Sequence, residues 1–285
     1  MIKPARSSPT HSSRTKSHDC RLRTASPMND SLTEIRRAAA RHGLNLIAAI
    51  PADRYNRAVA PAMRTDAFDS AEAPAPARSI VIVGNGGGDF WRAFSEFADR
   101  NPGWRDRANP LDDFTRAIIE RDVVPAMRES GARCRTIYPF MNGGPTLNFI
   151  ELAKLAGLGG PSIMGVVVHP VYGPWIAFRA ALIVDVSIDL PGEAVGFDPC
   201  PGCGPRSCIA ACPANAVAFP SGWDIPKCLT HRVEVEADCT PRCHARAGCV
   251  LGPEHRYPDD ELAYHQRRAL VAIRPWYDAH IRPRE

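Results

Sequence analysis

Gly165-Val-Val-Val-His169-Pro-Val-Tyr-Gly-Pro174-Trp-Ile-Ala-Phe-Arg179-Ala-Ala-Leu-Ile-Val184 is the stretch from which the fold can be read. Two apolar, β-branched runs flank a Pro/Gly-rich turn, the pattern of a hairpin. A hairpin makes the sheet mainly antiparallel, and with helices on either side the expected class is α+β. Side chains alternate along a strand, so Phe178 and Ala180 should face away from Arg179. A guanidinium inside so apolar a strand needs a partner, either a carboxylate of the protein or an acidic or amide group of a cofactor.

Upstream, Ser31-Leu-Thr-Glu34 has the form of a capping box and predicts a helix from there to Arg41 or His42, stopped by Gly43. The run 44–50 reads as a short strand closed by Pro51. Ala71-Glu-Ala-Pro-Ala-Pro-Ala77 reads as a stiff connection into a buried strand at Ser79-Ile-Val-Ile-Val83. Gly84-Asn-Gly-Gly-Gly88 then precedes a helix from Asp89. Amides such as those of Gly86 and Gly87 could cradle a phosphate there, or the loop is a tight turn without a ligand. Asp89 stands where a dinucleotide fingerprint has its third glycine, which excludes that motif. Helices are expected over 110–130, with Phe114, Ile118 and Val123 toward the core, and over 147–156. A last helix should open at Pro258-Asp-Asp-Glu261, with acids in its first turn, and run toward Ala272 before a solvated tail.

Downstream lies Cys200-Pro-Gly-Cys203-Gly-Pro-Arg-Ser-Cys208-Ile-Ala-Ala-Cys212-Pro213, followed by Cys228, Cys239, Cys243 and Cys249. The first run matches the bacterial ferredoxin spacing except for two extra residues in its second gap. The chain has ten cysteines, and its first 199 residues hold only Cys20 and Cys134. Clustering beside a cysteine-poor core points to metal in a reducing compartment rather than to a disulfide framework. Two-cluster logic joins Cys200, Cys203 and Cys208 with Cys249, and Cys212 with Cys228, Cys239 and Cys243. The alternative is structural zinc, with His231 or His244 as a further ligand. Cys134 reads as a small buried apolar residue.

The bulk numbers restrict function further. The net charge of +4 comes from the first 27 residues, which hold six Lys/Arg against one Asp; the remainder is near −1. That gives little support for a general nucleic-acid-binding surface on the folded part. No apolar run reaches a membrane span, and Arg36-Arg37 lacks the apolar stretch of an export signal, so a cytoplasmic location is expected.

Three segments carry a family resemblance: Glu151-Leu-Ala-Lys-Leu-Ala-Gly-Leu-Gly-Gly160, His169-Pro-Val-Tyr-Gly-Pro-Trp-Ile-Ala-Phe178 and the cysteine run. Together they resemble epoxyqueuosine reductases and reductive dehalogenases, which are corrinoid iron–sulfur enzymes. Residues 163–179, His255-Arg-Tyr-Pro-Asp-Asp-Glu-Leu-Ala-Tyr264 and His42-Gly-Leu-Asn-Leu-Ile also resemble cobalamin-processing chaperones, which remove the upper ligand of cobalamin. The chain differs from the epoxyqueuosine reductases in lacking their C-terminal helical repeats, and from the chaperones in having the cysteine module.

The resemblance implies a nitroreductase-like core at 29–195 behind a disordered arm (1–28), a ferredoxin-like [4Fe–4S] module at 196–252, and a C-terminal helix and tail at 253–285. It implies one or two clusters passing electrons to a corrinoid, with a flavodoxin, ferredoxin or flavin reductase as donor. His169, Tyr172, Trp175 and Arg179 become candidate contacts of that cofactor. His169 is otherwise a capped core histidine, and Tyr172 and Trp175 simply close the turn. Two other readings stand beside this one: a non-enzymatic electron carrier or cofactor-delivery module, and a flavin enzyme in which Gly86 and Gly87 meet the FMN phosphate.

Overall fold

The structure is a computed structural model that describes residues 27–68, 76–141, 145–188 and 196–282. The N-terminal arm up to residue 26 and most of the Ala/Pro connection lie outside these residues. Helix α1 (Pro27–Ala40) starts earlier than the capping-box reading, so Ser31 is inside the helix and not its cap. It ends at Ala40, just short of the expected Arg41 or His42, and Gly43, whose φ of 72° favours glycine, closes the turn that follows. Strand β1 (Leu46–Pro51) and α2 (Ala52–Ala58) follow.

Strand β2 (Ser79–Gly86) runs three residues past the expected boundary, so Gly84, Asn85 and Gly86 are strand and only Gly87 and Gly88 turn. Helix α3 (Asp89–Arg100) is next. Then α4 (Pro110–Ile118), a π-helical turn (Ile119–Val123) and α5 (Val124–Arg128) make one continuous helical body. Pro125 cannot donate to the ladder, and the wider turn ahead of it accommodates the gap. Strand β3 (Cys134–Ile137), α6 (Phe149–Leu155), β4 (Gly160–Pro161), β5 (Val167–Val168) and β6 (Ile176–Val184) complete the core.

The main sheet has the order β1–β2–β6–β3 and is antiparallel throughout, as an α+β chain requires. Its two faces are covered by different helices. Val81, Val83, Ala180, Leu182 and Val184 pack with Ile35, Phe90, Phe94, Phe114 and Ile118 on one side. Ile80, Ile82, Ala181 and Ile183 pack with Tyr55, Phe68 and Leu152 on the other. Each fully buried side chain of this kind stabilises by roughly 1.5–3 kcal/mol.

Two expectations about the opening stretch are corrected. Strands β5 and β6 do not form a hairpin: β5 pairs with β4, while β6 enters the main sheet between β2 and β3. The seven-residue connection between them is closed locally by a bridge between His169 and Gly173. In addition, the β2–β6 register jumps from Val83↔Ala180 to Gly84↔Phe178, leaving Arg179 as the extra residue of a bulge. A bulge breaks the alternation, so Ala180 shares the helix-covered face over which Arg179 lies.

The C-terminal third is built of short pieces: α7 (Ser207–Ala210), β7 (Val217–Ala218), β8 (Gly222–Trp223), α8 (Ile225–Glu234), α9 (Glu236–Cys239) and α10 (His244–Ala247). The long α11 (Asp259–His280) ends the described chain. It passes through Pro275 and well beyond Ala272, because Leu270 and Tyr277 are buried against Leu229 and Val233 of α8. Tyr277 is buried, but most of residues 271–282, Arg282 among them, stay partly or fully exposed. No helix among the described residues is long and apolar enough to cross a membrane.

Candidate functional site

The eight late cysteines gather around two cavities. Cys200, Cys203, Cys208 and Cys249 line one of about 310 Å³. Cys212, Cys228, Cys239 and Cys243 line another of about 210 Å³. These are the two groups named from the spacing. Met164 walls both cavities, and with Val168, Val217 and Ala245 it belongs to a small apolar cluster beneath them.

Local structure explains how the residues converge. The Cys203 amide donates to the Cys200 carbonyl at 3.2 Å, a tight turn that aims both thiols one way. The two extra residues in the second gap have a structural use: Arg206 adopts a left-handed φ of 44° and launches α7, which carries Cys208. Cys212 ends the next turn and accepts a hydrogen bond at its Sγ from the Ala216 amide, 3.4 Å away. Asp224 caps α8 through the Lys227 amide at 3.0 Å, which orients Cys228 one turn inside. Gly248 lets α10 close on α7, since a β-carbon there would lie 2.9 Å from both Ala211 Cβ and the Ser207 carbonyl.

The thiols act on one another within their own group. Burial first, and then Cys249, Cys200 and Cys203, push the Cys208 thiol up. Burial, and then Cys243 and Cys228, push Cys239 up to about 11. Cys134 is apart from both groups, half-buried at the start of β3 with its thiol raised by burial. The two histidines suggested as zinc ligands both line the second cavity: His244 Nε2 is hydrogen-bonded to the Asp238 carbonyl at 2.8 Å, while His231 Nε2 lies 3.2 Å from Asp238 Oδ2 without forming a hydrogen bond.

The expected cofactor contacts are largely engaged inside the protein. Asn45 brackets Gly86, accepting from its amide at 2.7 Å and donating to its carbonyl at 2.9 Å, while the Gly87 amide donates to the Trp175 carbonyl at 2.9 Å. Neither amide is free to cradle a phosphate. Gly86 is glycine because a β-carbon would fall inside the Tyr172 ring. His169 Nδ1 accepts from the amides of Val171 and Tyr172 at 3.0 and 3.2 Å, so the neutral ring carries its proton on Nε2. Burial, then His255, holds the His169 pKa below the usual histidine range. Trp175 is only 1 % exposed and packs edge-on to Tyr257, beneath the guanidinium of Arg246 at 4.9 Å.

Arg179 leads to residues that sequence reasoning missed. Its Nε donates to Asn85 Oδ1 at 2.8 Å, and its guanidinium lies 4.5 Å over the Phe90 ring. Glu261, read as an ordinary first-turn acid, has no exposed surface; burial pushes its pKa up to about 8 against the pull of Arg179 and Arg246. One turn later, His265 Nε2 is 3.6 Å from Glu261 Oε1, and burial holds that imidazole down to about 3. The only sequence signal was the four-residue interval, which puts both side chains on one face of α11.

The fold has known relatives. An epoxyqueuosine reductase from Streptococcus thermophilus superposes with a TM-score of 0.50 and 15% identity, over 79% of this chain and 67% of that one. A C. elegans B12-trafficking protein, CblC, a homologue of human MMACHC, superposes with a TM-score of 0.55 and 14% identity, over 87% of this chain and 96% of that one. This chain shares their fold. The catabolic reductive dehalogenase NpRdhA is a more distant neighbour, at a TM-score of 0.47 and 19% identity over 86% of this chain and 35% of that one. No protein-family model matches the chain, and no curated protein matches it by sequence. At these identities the shared property is the fold, with its antiparallel sheet between helices.

Proposed function

We propose that this chain is an iron–sulfur redox protein whose two cysteine cavities each hold a [4Fe–4S] cluster and whose α+β core, of the nitroreductase-like kind, binds a corrinoid. The observation that carries the reading is the division of eight cysteines into two cavities walled by four each. A four-iron cube takes one thiolate per iron, so its ligands surround it. A single zinc instead draws its donors to about 2.3 Å of one point. Each cavity is walled by four cysteines, the number that one cube requires.

When bound, the clusters would supply one-electron transfer to the cobalt, whose upper ligand or an organic substrate is then reduced. The chain's own residues have narrower tasks. Cys200, Cys203, Cys208 and Cys249 hold one cluster; Cys212, Cys228, Cys239 and Cys243 hold the other. Met164 keeps the space between them dry, and the Ala216 amide stabilises the Cys212 thiolate. The shared fold with a B12-trafficking protein and an epoxyqueuosine reductase supports a corrinoid as the cofactor of the core. Tyr172, His169 and His255 form an aromatic group at the turn before β6, with ring centres 5.1 and 4.6 Å from that of Tyr172. A planar macrocycle would rest there, with His169 Nε2–H as a donor to it.

Anaerobic purification with iron and sulfide, followed by titration with cob(II)alamin, tests the proposal. Expected are a brown protein with close to eight irons and a change in the cobalamin bands. A colourless protein that binds only zinc would overturn the cluster half. Unchanged cobalamin bands would overturn the corrinoid half and leave an electron carrier.

A further inference from the structure

Behind the turn that precedes β6 lies a group of buried polar atoms that the proposed electron path does not use. Trp175 Nε1, Arg179 Nη2, both carboxyl oxygens of Glu261 and His265 Nε2 are all buried without a hydrogen-bond partner. Orphaned buried polar atoms cost stability, and so many in one place mark a feature kept for another purpose.

The group adjoins the second cysteine cavity. Arg246, which lines that cavity, lies 4.9 Å over Trp175 and 5.0 Å over Tyr257, and its charge acts on Glu261. Gln266, the residue after His265, lines the same cavity. The His265 side chain is 27% exposed and Glu261 is not exposed at all, so the imidazole stands between solvent and the carboxyl. The groups facing Glu261 are Arg179 from β6, Arg246 from α10, Asp260 and His265 from α11, and Tyr257 from the segment ahead of it. Asp112 of α4 acts on the same Arg179.

We propose that Glu261, with His265 as its route to solvent, is a proton-accepting site linked to the second cysteine cavity, so that an electron arriving in that cavity is balanced by a proton bound at Glu261. The inference rests on the reading of that cavity as an iron–sulfur site. A one-electron donor adds one negative charge to the cluster; the added charge opposes the field of Arg246, and an O–H bond forms on the Glu261 carboxylate with a proton from solvent. Burial pushes the Glu261 pKa up to about 8, so the carboxyl is already protonated at neutral pH, and uptake on reduction occurs above that value.

The test uses the full chain reconstituted with iron and sulfide. Dye-mediated titration with dithionite gives the midpoint potentials between pH 6.5 and 9.5. One potential should be level below about pH 8 and fall with pH above it, and Glu261→Gln should make it level throughout. At pH 9 the reduced-minus-oxidised infrared spectrum of the unsubstituted protein should gain a protonated-carboxyl band. That spectrum decides the matter even if Glu261→Gln does not fold. Intact clusters with level potentials and no carboxyl band would overturn the proton link alone, as would a bend that survives Glu261→Gln. Failure to assemble any cluster would overturn the iron–sulfur reading instead, and with it this inference.

Discussion

Arg246 donates from Nε and Nη2 to the Pro174 carbonyl, at 3.0 and 2.6 Å, and so pins α10 to the turn that precedes β6. The same guanidinium covers Trp175 and Tyr257. Arg246→Ala should therefore loosen the cysteine-bearing segment from the core. Hydrogen bonds to a charged donor contribute roughly 1.5–3 kcal/mol, and a loss of that size should appear in urea unfolding, with faster amide exchange in α10. Lys at this position should restore little, because it offers neither the fork nor the flat stacking face.

Glu261 and His265 make stability depend on pH in opposite directions. The folded pKa of Glu261 is raised to about 8, so its contribution is full at acid pH and is lost as pH rises toward 8. The folded pKa of His265 is depressed to about 3, so stability falls as pH drops below its ordinary value near 6.5. Between pH 6.5 and 8 only Glu261 is changing. Over that window Glu261→Gln should gain stability relative to the parent, by on the order of 2 kcal/mol at pH 8. Thermal melts of both proteins across pH 5–9 check the sign; a constant difference would contradict the buried-carboxyl account.

Gly86 and Tyr172 are in direct contact, with no room for a β-carbon at Gly86. Gly86→Ala should cost about 1–3 kcal/mol through overpacking. Tyr172→Ala in that background should recover part of the loss. A double-mutant cycle on denaturation midpoints measures the coupling, and additive effects would mean that the ring does not fill the space.

The two cysteine cavities should lose iron independently. Cys203→Ser and Cys228→Ser should each leave about half the iron and sulfide of the parent, and the double variant almost none. Loss of all iron from either single variant would mean one shared centre.

The clustering of eight cysteines was legible in the sequence; close spacing alone would not part Cys212 from Cys208 or bring Cys249 to Cys208, as the cavity walls do. The strands at 79–83 and 176–184 were legible from their β-branched runs, but their antiparallel order was expected from a hairpin that does not form; helix ends such as Gly43 were visible in local turn chemistry. The pairing of β5 was not, since period-2 patterning marks a strand without naming its neighbour. Nor was the bulge at Arg179, which a one-residue change of register creates and which turns Ala180 to the same face.

What the sequence determined by itself is what short-range chemistry decides: a cluster of eight thiols, strands, helix stops and the α+β class. Tertiary structure decided the meaning of residues far apart in the chain. Glu261 is an unremarked helix-start acid until α11 is laid against Gly88 and β6, where it loses all contact with solvent beside Arg179 and Arg246. Met164 is one more apolar residue until the fold sets it between two cysteine cavities. Burial and electric field are sums over neighbours from many segments, and only the folded chain brings those neighbours together.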